Sequence, residues 1–266
     1  MHRRDAPLIL TAISMRLALS TLAALLFILP SSGDEKDIDV YLLIGQSNMA
    51  GRAELSEVDR EAIKGTFLLN SDNDWEVAKN PLNQFSTIRK NLEMQRMGPG
   101  YGFATAMRTL DPDQTIGLVV NAKGGTSLAE WQPGLDFFSD AVTRTKIALN
   151  AKGATLKGIL WHQGEADVSN ENYLKELSAL VAELRRELDV GMVPFVAGQL
   201  FAPDNQPARI AFNKRLTAIQ QFIPNSSYVS SKALTATDKA HFDSASMRLL
   251  GLRYAERMKT LQREQQ

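Results

Sequence analysis

The sequence predicts an α/β fold, in which a parallel β-sheet is covered by helices on both faces. Short, nearly continuous apolar segments, typical of strands buried on both faces, recur along the chain. Amphipathic helical patterns lie between them. The chain has 266 residues, of which 44% are hydrophobic, enough for one sizeable core and too little for two comfortable domains. We therefore expect a single domain over residues 34–266.

Six segments have the pattern of a strand. The clearest is Ile38–Ile44, whose sequence IDVYLLI is almost entirely apolar. The others are Thr115–Asn121, Leu156–Trp161 and Val193–Ala197, with weaker candidates at Phe67–Leu69 and Tyr228–Ser230. Because helical patterns separate these segments, the strands are expected to run parallel.

Four segments have helical patterns. Leucines spaced three and four apart give an amphipathic helix from Tyr173 to Leu188. The others are a less regular helix over Ile210–Phe222, a C-terminal helix over Met247–Leu261 capped by Asp243 or Ser244, and a helix at Gly102–Leu110. The stretch 71–100 is rich in Asn, Asp, Pro and Gly, and we expect it to form a long loop that lines a binding site.

The N-terminal segment has the layout of a secretory signal peptide. A basic flank precedes the apolar run Leu17–Leu29, and small residues follow it. We expect residues 1–33 to be removed and the protein to be secreted or periplasmic, with either Met1 or Met15 as the start. An uncleaved membrane anchor is the alternative, although the apolar run is short for a spanning helix.

The composition excludes several classes of function. Lys plus Arg and Asp plus Glu both number 30, so no basic field indicates nucleic acid as a partner. The chain contains no cysteine, which excludes disulfides, zinc–thiolate sites and thiol nucleophiles.

Chemistry in an open parallel sheet is expected just beyond the carboxyl ends of the strands. The first strand is followed by Gly45-Gln46-Ser47-Asn48-Met49. A glycine shortly before a serine allows a sharp turn that presents the hydroxyl, so Ser47 is a candidate nucleophile if a base lies within reach. Alternatively, Ser47 caps the helix that follows it.

Few histidines are available to act as the base for Ser47. Only His2, His162 and His241 occur, and His2 lies in the expected signal segment. Asp238 precedes His241 by three residues, so its carboxylate is placed to accept from one ring nitrogen while the other takes the serine proton. The alternative is an ordinary loop histidine before a helix.

Two further strand ends carry candidate oxyanion donors. Gly124-Gly125 allows close backbone approach and can aim an N–H at a developing negative charge. The next strand ends in Trp161-His162-Gln163-Gly164-Glu165-Ala166-Asp167, where the neutral amide of Gln163 is a suitable donor. His162 and Glu165, three residues apart, also suggest a metal pair, but two candidate ligands without a third at matching spacing make a weak metal signal.

Taken together, the blocks GQSNM, GGTS, WHQGEAD and DKAH resemble the four blocks of SGNH hydrolases. They are most similar to the sialate O-acetylesterase domain and to carbohydrate esterase family six, over about residues 39–256. The resemblance implies a three-layer α/β/α sandwich with a parallel, flavodoxin-like sheet of about five strands. It also implies a carbohydrate O-acetylesterase that acts on acetylated sugars through an acetyl-serine, without metal or organic cofactor.

Carried over to this sequence, the resemblance assigns the triad to Ser47, His241 and Asp238. The residues of the implied oxyanion hole are Ser47, Gly125 (or Gly124) and Gln163, with Gln46, Asn48, Gly124 and Glu165 around the substrate. One departure is that Asp243-Ser244-Ala245-Ser246 follows the last block without the usual glycine, which could shift His241 slightly. The alternatives are a non-catalytic carbohydrate-binding protein on this fold and a metal-dependent hydrolase that uses His162, Glu165 and Asp167.

Overall fold

A computed structural model describes residues 37–264 and contains one seven-stranded sheet in that range. The predicted signal peptide, residues 1–33, lies outside the described residues. The strands are β1 (Ile38–Gly45), β2 (Thr66–Leu69), β3 (Trp75–Val77), β4 (Thr115–Ala122), β5 (Ala154–His162), β6 (Phe195–Gly198) and β7 (Ser226–Val229). Their order across the sheet is β3-β2-β4-β1-β5-β6-β7.

The sheet confirms the predicted fold class. Five strands, in the order β4-β1-β5-β6-β7, are parallel and have the flavodoxin-like arrangement. Two more strands extend the edge beside β4: β2 is parallel to it, and β3 is antiparallel to β2. The expected loop over 71–100 therefore contains one short strand, which the sequence pattern did not reveal.

Helices cover both faces of the sheet. They are α1 (Ser47–Ala50), α2 (Pro99–Leu110), α3 (Asp136–Leu149), α4 (Tyr173–Leu188), α5 (Pro207–Leu216) and α6 (Ser244–Arg263). The helix expected over Ile210–Phe222 ends at Leu216, and a short 3-10 turn follows at Ile219–Gln221. Asp243 caps α6 by accepting a hydrogen bond from the Ser246 N–H at 2.8 Å.

Alternation along β1 divides the core into two layers. Tyr41 and Leu43 face one layer with α2 and α6, whereas Leu42 and Ile44 face the other with α3, α4 and α5. All four side chains are at most 1% exposed, so β1 is buried on both faces as its apolar sequence predicts. Among residues 37–264, none of the helices combines the length and apolar character needed to cross a bilayer.

The sheet register brings the candidate segments to one edge. Gly45, the last residue of β1, is paired with Ala122 of β4 on one side and with His162 of β5 on the other. The segments that follow these three strands therefore emerge side by side, where ligands bind in open α/β sheets.

Candidate active site

The turn after β1 presents Ser47 at the carboxyl edge of the sheet. Gly45 has φ +135°, and a Cβ atom at this position would lie 2.3 Å from the carbonyl oxygen of His162. Both the backbone angle and the close approach of β5 therefore require glycine here. Ser47 opens the single turn of α1, and the residue is 9% exposed. Its hydroxyl makes no capping bond in this helix, so the capping interpretation of Ser47 does not apply.

Ser47 and His241 meet although 194 residues separate them along the chain. Ser47 Oγ lies 3.0 Å from His241 Nε2, and His241 Nδ1 lies 2.7 Å from Asp238 Oδ2. These distances fit a hydroxyl, an imidazole and a carboxylate that are joined by two hydrogen bonds. The absence of the usual glycine after the last block does not carry His241 away from Ser47.

Asp238 is held by a local turn that keeps its carboxylate ionised. Its Oδ1 accepts from the backbone N–H groups of Ala240, at 2.7 Å, and His241, at 2.8 Å. Desolvation opposes ionisation, but hydrogen bonds from the His241 ring and from these two N–H groups outweigh it and lower the pKa of Asp238 to about 2. An ionised Asp238 fixes the proton of neutral His241 on Nδ1, which leaves Nε2 to accept from the serine.

His162, the other candidate base, lies away from the serine hydroxyl in the core. It is 0% exposed, and its Nδ1 lies 3.2 Å from the hydroxyl oxygen of Tyr254. The Tyr254 hydroxyl itself donates to the Trp161 carbonyl at 2.7 Å. Burial lowers the pKa of His162 to about 3, so its ring is neutral at ordinary pH.

The paired glycines after β4 lie against Ser47. A Cβ on Gly124 would be 3.3 Å from Ser47 Cβ and 2.7 Å from Arg52 Nη2, so only a glycine lets the backbone pass here without displacing a neighbour. Gly125 follows with φ +78°. Gly124 makes the closer approach to Ser47, and which of the two glycines donates to the oxyanion stays a prediction.

Gln163 is buried, and its side-chain amide is fully engaged. Nε2 donates to the carbonyl of Thr126 at 3.0 Å and to Asp167, while Oε1 accepts from the Tyr173 hydroxyl at 3.0 Å. The expectation that Gln163 donates to an oxyanion therefore stays a prediction, and it requires one of the two donated bonds to be exchanged during the reaction.

A polar bracket, formed by Gln46, Asn48 and Glu165, surrounds the serine turn. Glu165 accepts from the side-chain amides of Gln46 and Asn48, the latter at 2.7 Å. Asn48 also donates to the Ala240 carbonyl at 3.1 Å and accepts from the Phe242 N–H at 3.2 Å. A single amide therefore ties the serine turn to the backbone on both sides of His241.

The three residues of the alternative metal site have separate partners. Glu165 belongs to the polar bracket, His162 contacts Tyr254, and Asp167 accepts from Gln163 and from the Leu128 N–H. Within residues 37–264, no three His, Asp or Glu side chains come together as a set of metal ligands.

A family model described as a carbohydrate esterase, sialic acid-specific acetylesterase, matches residues 37–260. The chain belongs to this carbohydrate esterase family. The match covers all seven strands and nearly all of the six helices, and it confirms the resemblance to SGNH-type carbohydrate esterases.

Individual similar proteins agree with the family assignment. A probable carbohydrate esterase of Arabidopsis thaliana is 32% identical in an alignment of 177 residues that covers 59% of this chain and 66% of the relative, just under two thirds of its length. The X-ray structure of the same Arabidopsis thaliana protein is similar with a TM-score of 0.74 and 25% identity, over 84% of this chain and 98% of that one.

Two further solved structures share the fold at lower identity. NanS has a TM-score of 0.67 and 17% identity, over 86% of this chain and 98% of its own. A carbohydrate acetylesterase from Xanthomonas citri has a TM-score of 0.62 and 18% identity, over 85% of this chain and 57% of its own. At these identities the likeness establishes the fold alone.

Two cationic side chains near the paired glycines were not expected from the sequence. Arg52 Nη2 lies beside Gly124, and a Cβ on Gly125 would be 3.4 Å from Lys90 Nζ. The position of Arg52, only a few residues after the serine block, could have marked it as a residue near the site. Lys90 belongs to the long segment 71–100, where no pattern distinguishes it from other surface lysines.

Proposed function

We propose that the protein is a serine O-acetylesterase that removes acetyl groups from sugars, with Ser47, His241 and Asp238 as its catalytic triad. The observation that carries the proposal is the pair of distances from His241, 3.0 Å to Ser47 Oγ and 2.7 Å to Asp238 Oδ2. This geometry is what a hydroxyl needs to act as a nucleophile at neutral pH.

The proposed reaction has two stages. His241 takes the proton of Ser47 while the serine oxygen forms a bond to the carbonyl carbon of the acetyl ester. The tetrahedral intermediate then collapses, the sugar oxygen leaves with the proton returned by His241, and acetyl-Ser47 remains. Water, deprotonated by His241, attacks this acyl group, and acetate leaves as Ser47 regains its proton.

The oxyanion that forms in both stages needs donors that are already in place. We assign this role to the backbone N–H groups of Ser47 and of Gly124 or Gly125, together with the side-chain amide of Gln163. The contact between Gly124 and Ser47 supports the backbone part of this assignment. Gln163 contributes if its bond to Thr126 or Asp167 is exchanged for one to the oxyanion.

The polar bracket has a supporting role in this proposal. Gln46, Asn48 and Glu165 touch the segments that carry the triad, and none of them needs to exchange a proton with the substrate. Asn48 holds the backbone around His241, so the bracket keeps the imidazole facing the serine. This arrangement partly buries Glu165, and desolvation raises the pKa of its carboxyl.

Acetate release from a panel of acetylated sugars tests the proposal, with Ser47→Ala as the control. An acetylesterase releases acetate from at least one of them, and the Ser47→Ala variant loses the activity by several orders of magnitude. A carbohydrate-binding protein without catalysis would instead bind acetylated sugars and release no acetate. A metal-dependent hydrolase would lose activity when the enzyme is treated with a chelator.

A further inference from the structure

The loop that carries Asp238 and His241 is closed on itself but exposed at its tip. We name residues 236–242 the triad loop. A backbone bridge joins its first and last residues, and the Thr237 N–H donates to the His241 carbonyl at 2.9 Å. Asp238 and Lys239 at the tip are both exposed. Since the tip is not packed into the core, polar contacts decide where it lies.

Two side chains from the start of α5 donate to this tip. Gln206 Nε2 lies 3.1 Å from the Lys239 carbonyl oxygen, and Arg209 Nη1 lies 2.5 Å from the same atom. Gln206 directly precedes α5 and Arg209 lies in its first turn, three residues apart, so both side chains reach out in the same direction. A carbonyl oxygen has two lone pairs, and these two donors engage both of them.

Arg209 also ties the triad loop to the segment that follows β6. Its Nη1 donates to the Phe201 carbonyl at 3.2 Å. The ring of Phe201 packs edge-on against Phe242, with 6.0 Å between the ring centroids. Phe242 is 0% exposed and directly follows His241. We call the three hydrogen bonds from Gln206 and Arg209 the α5 clip, because they join α5 and the segment after β6 to the triad loop.

We propose that Arg209, assisted by Gln206, is a positioning residue that holds the triad loop so that His241 faces Ser47. Its effect passes through the backbone at Lys239, which adjoins Asp238. The inference rests on the proposed esterase function, since the placement of the loop matters for turnover only if His241 is the base. The existence of the clip as a restraint on the loop does not depend on that function.

A second interpretation gives Arg209 a role through its charge alone. Desolvation raises the pKa of Glu165, and the positive charge of Arg209 is among the effects that lower it. If only this charge mattered, Arg209→Lys would behave as the wild type, and the neutral Gln206 would be irrelevant. The α5 clip instead requires hydrogen bonds of defined geometry from both side chains.

Steady-state kinetics on p-nitrophenyl acetate separate the two interpretations. We expect Arg209→Ala to lower kcat by about 10–100-fold, as for a small misplacement of the reacting groups, while KM changes little. Gln206→Ala should lower kcat by about threefold, as for the loss of one neutral hydrogen bond. Arg209→Lys should recover only part of the loss, because its compact ammonium is strongly hydrated and lacks the planar fork.

Rescue by a small molecule gives a further readout. Methylguanidinium, well below denaturing concentrations, replaces the group that Arg209→Ala removes. We expect it to raise kcat of this variant and to leave the wild type unaffected. A loss of activity caused by general destabilisation would not respond in this way.

The matched control is Arg253→Ala. Arg253 Nη1 also joins two backbone carbonyls, those of Ser230 at 2.5 Å and Lys232 at 3.1 Å. This segment precedes the triad loop and is separated from it by Thr235, whose N–H donates to a side chain of α6 at 2.8 Å. The control should therefore lower the melting temperature about as much as Arg209→Ala and leave kcat unchanged.

Hydrogen–deuterium exchange of the full chain tests the clip without relying on turnover. In Arg209→Ala, the peptide that contains residues 236–242 should exchange faster than in the wild type. In Arg253→Ala, exchange of this peptide should be unchanged. Thermal unfolding of each variant shows that the comparison is made between folded proteins.

The inference would be overturned by a folded Arg209→Ala variant with the wild-type kcat, or by unchanged exchange of the triad loop in that variant. Full activity of both Arg209→Lys and Gln206→Ala would also overturn it, in favour of a charge effect. The failure of the proposed function looks different. In that case the wild type would hydrolyse neither p-nitrophenyl acetate nor any acetylated sugar, whereas faster exchange in Arg209→Ala would still support the contact between α5 and the triad loop.

Discussion

The side-chain amide of Asn48 donates a hydrogen bond to Glu165 Oε1 at 2.7 Å, across 117 residues of sequence. The same amide contacts the backbone on both sides of His241. Since Asn48 directly follows Ser47, one side chain fixes the spacing between the serine turn and the histidine loop. A change at Asn48 should therefore affect the alignment of Ser47 with His241 more than the binding of substrate.

Replacing Asn48 by Asp tests this alignment. The substitution removes the donated bonds and places a second carboxylate against Glu165, so the serine turn and the histidine loop should separate. We expect kcat to fall by about a hundredfold, the size associated with misplacement of reacting groups by about 1 Å, while KM changes little. Steady-state kinetics on p-nitrophenyl acetate provide both values.

The matched control for this change is Asn80→Asp. Asn80 is also buried and donates to the Asp59 carbonyl at 3.0 Å, but it has no contact with the serine turn. Its substitution should lower the melting temperature without lowering kcat of the folded enzyme. A variant with Asn48→Asp that keeps the wild-type kcat would exclude a positioning role for Asn48.

Asp238→Asn should also lower kcat severely, but for a different reason. The amide cannot stabilise the imidazolium, and it favours the wrong tautomer of His241, so we expect kcat to fall by up to about 10⁴-fold. Asp243→Asn is the control: Asp243 caps α6, and its loss should cost about 1 kcal/mol of stability or less and leave kcat intact. Similar kinetics for the two variants would contradict the assigned role of Asp238.

Gln163→Ala tests whether the engaged amide contributes to catalysis. If Gln163 turns to the oxyanion during the reaction, its loss should lower kcat by about 10²–10³-fold. If the amide is only structural and hydrogen-bonds to Thr126, Asp167 and Tyr173 throughout, the variant should unfold at a lower temperature with an unchanged kcat. Stopped assays of kcat together with thermal unfolding separate the two results.

Buried His162 should make stability depend on pH. Its pKa is about 3 in the folded protein and about 6.5 in an unfolded chain, so between these values the unfolded state binds more protons. The free energy of unfolding should therefore fall as pH decreases from about 6.5 to 3, by up to about 5 kcal/mol from this residue. Urea unfolding at several pH values should show a shallower pH dependence for His162→Phe than for the wild type; identical slopes would contradict this explanation.

The parts of the fold that could be predicted are those with strong local patterns. β1 was recognisable because its residues are buried on both faces and therefore apolar. Helix α3 was missed because its buried face includes Arg144 and Thr145, which disguise the apolar periodicity. Arg144 is buried because it donates to the Leu69 carbonyl at 2.8 Å, a partner distant in sequence. β3 was missed because it has three residues, none of them fully buried.

In the candidate site, too, contacts between residues distant in sequence could not be predicted. Residue chemistry and the scarcity of histidine made Ser47, Asp238 and His241 candidates, and the resemblance to SGNH hydrolases assigned them as a triad. The contact of Arg52 with Gly124 was not predictable, because it depends on how the segment after α1 folds back beside β4. The hydrogen bonds of Gln163 were also hidden, since its partners include Thr126, 37 residues away, as well as Asp167 and Tyr173 in the following loop and helix.

The most direct measurement is to locate the acetyl group during turnover. The enzyme is mixed rapidly with excess p-nitrophenyl acetate, quenched in acid, digested, and analysed by mass spectrometry, with Ser47→Ala treated in parallel. The account predicts one acetyl group on the peptide that contains Ser47, and none on the corresponding peptide of the variant. Hydrolysis by Ser47→Ala at the wild-type rate, or acetyl transfer to another residue as the intermediate in turnover, would contradict it.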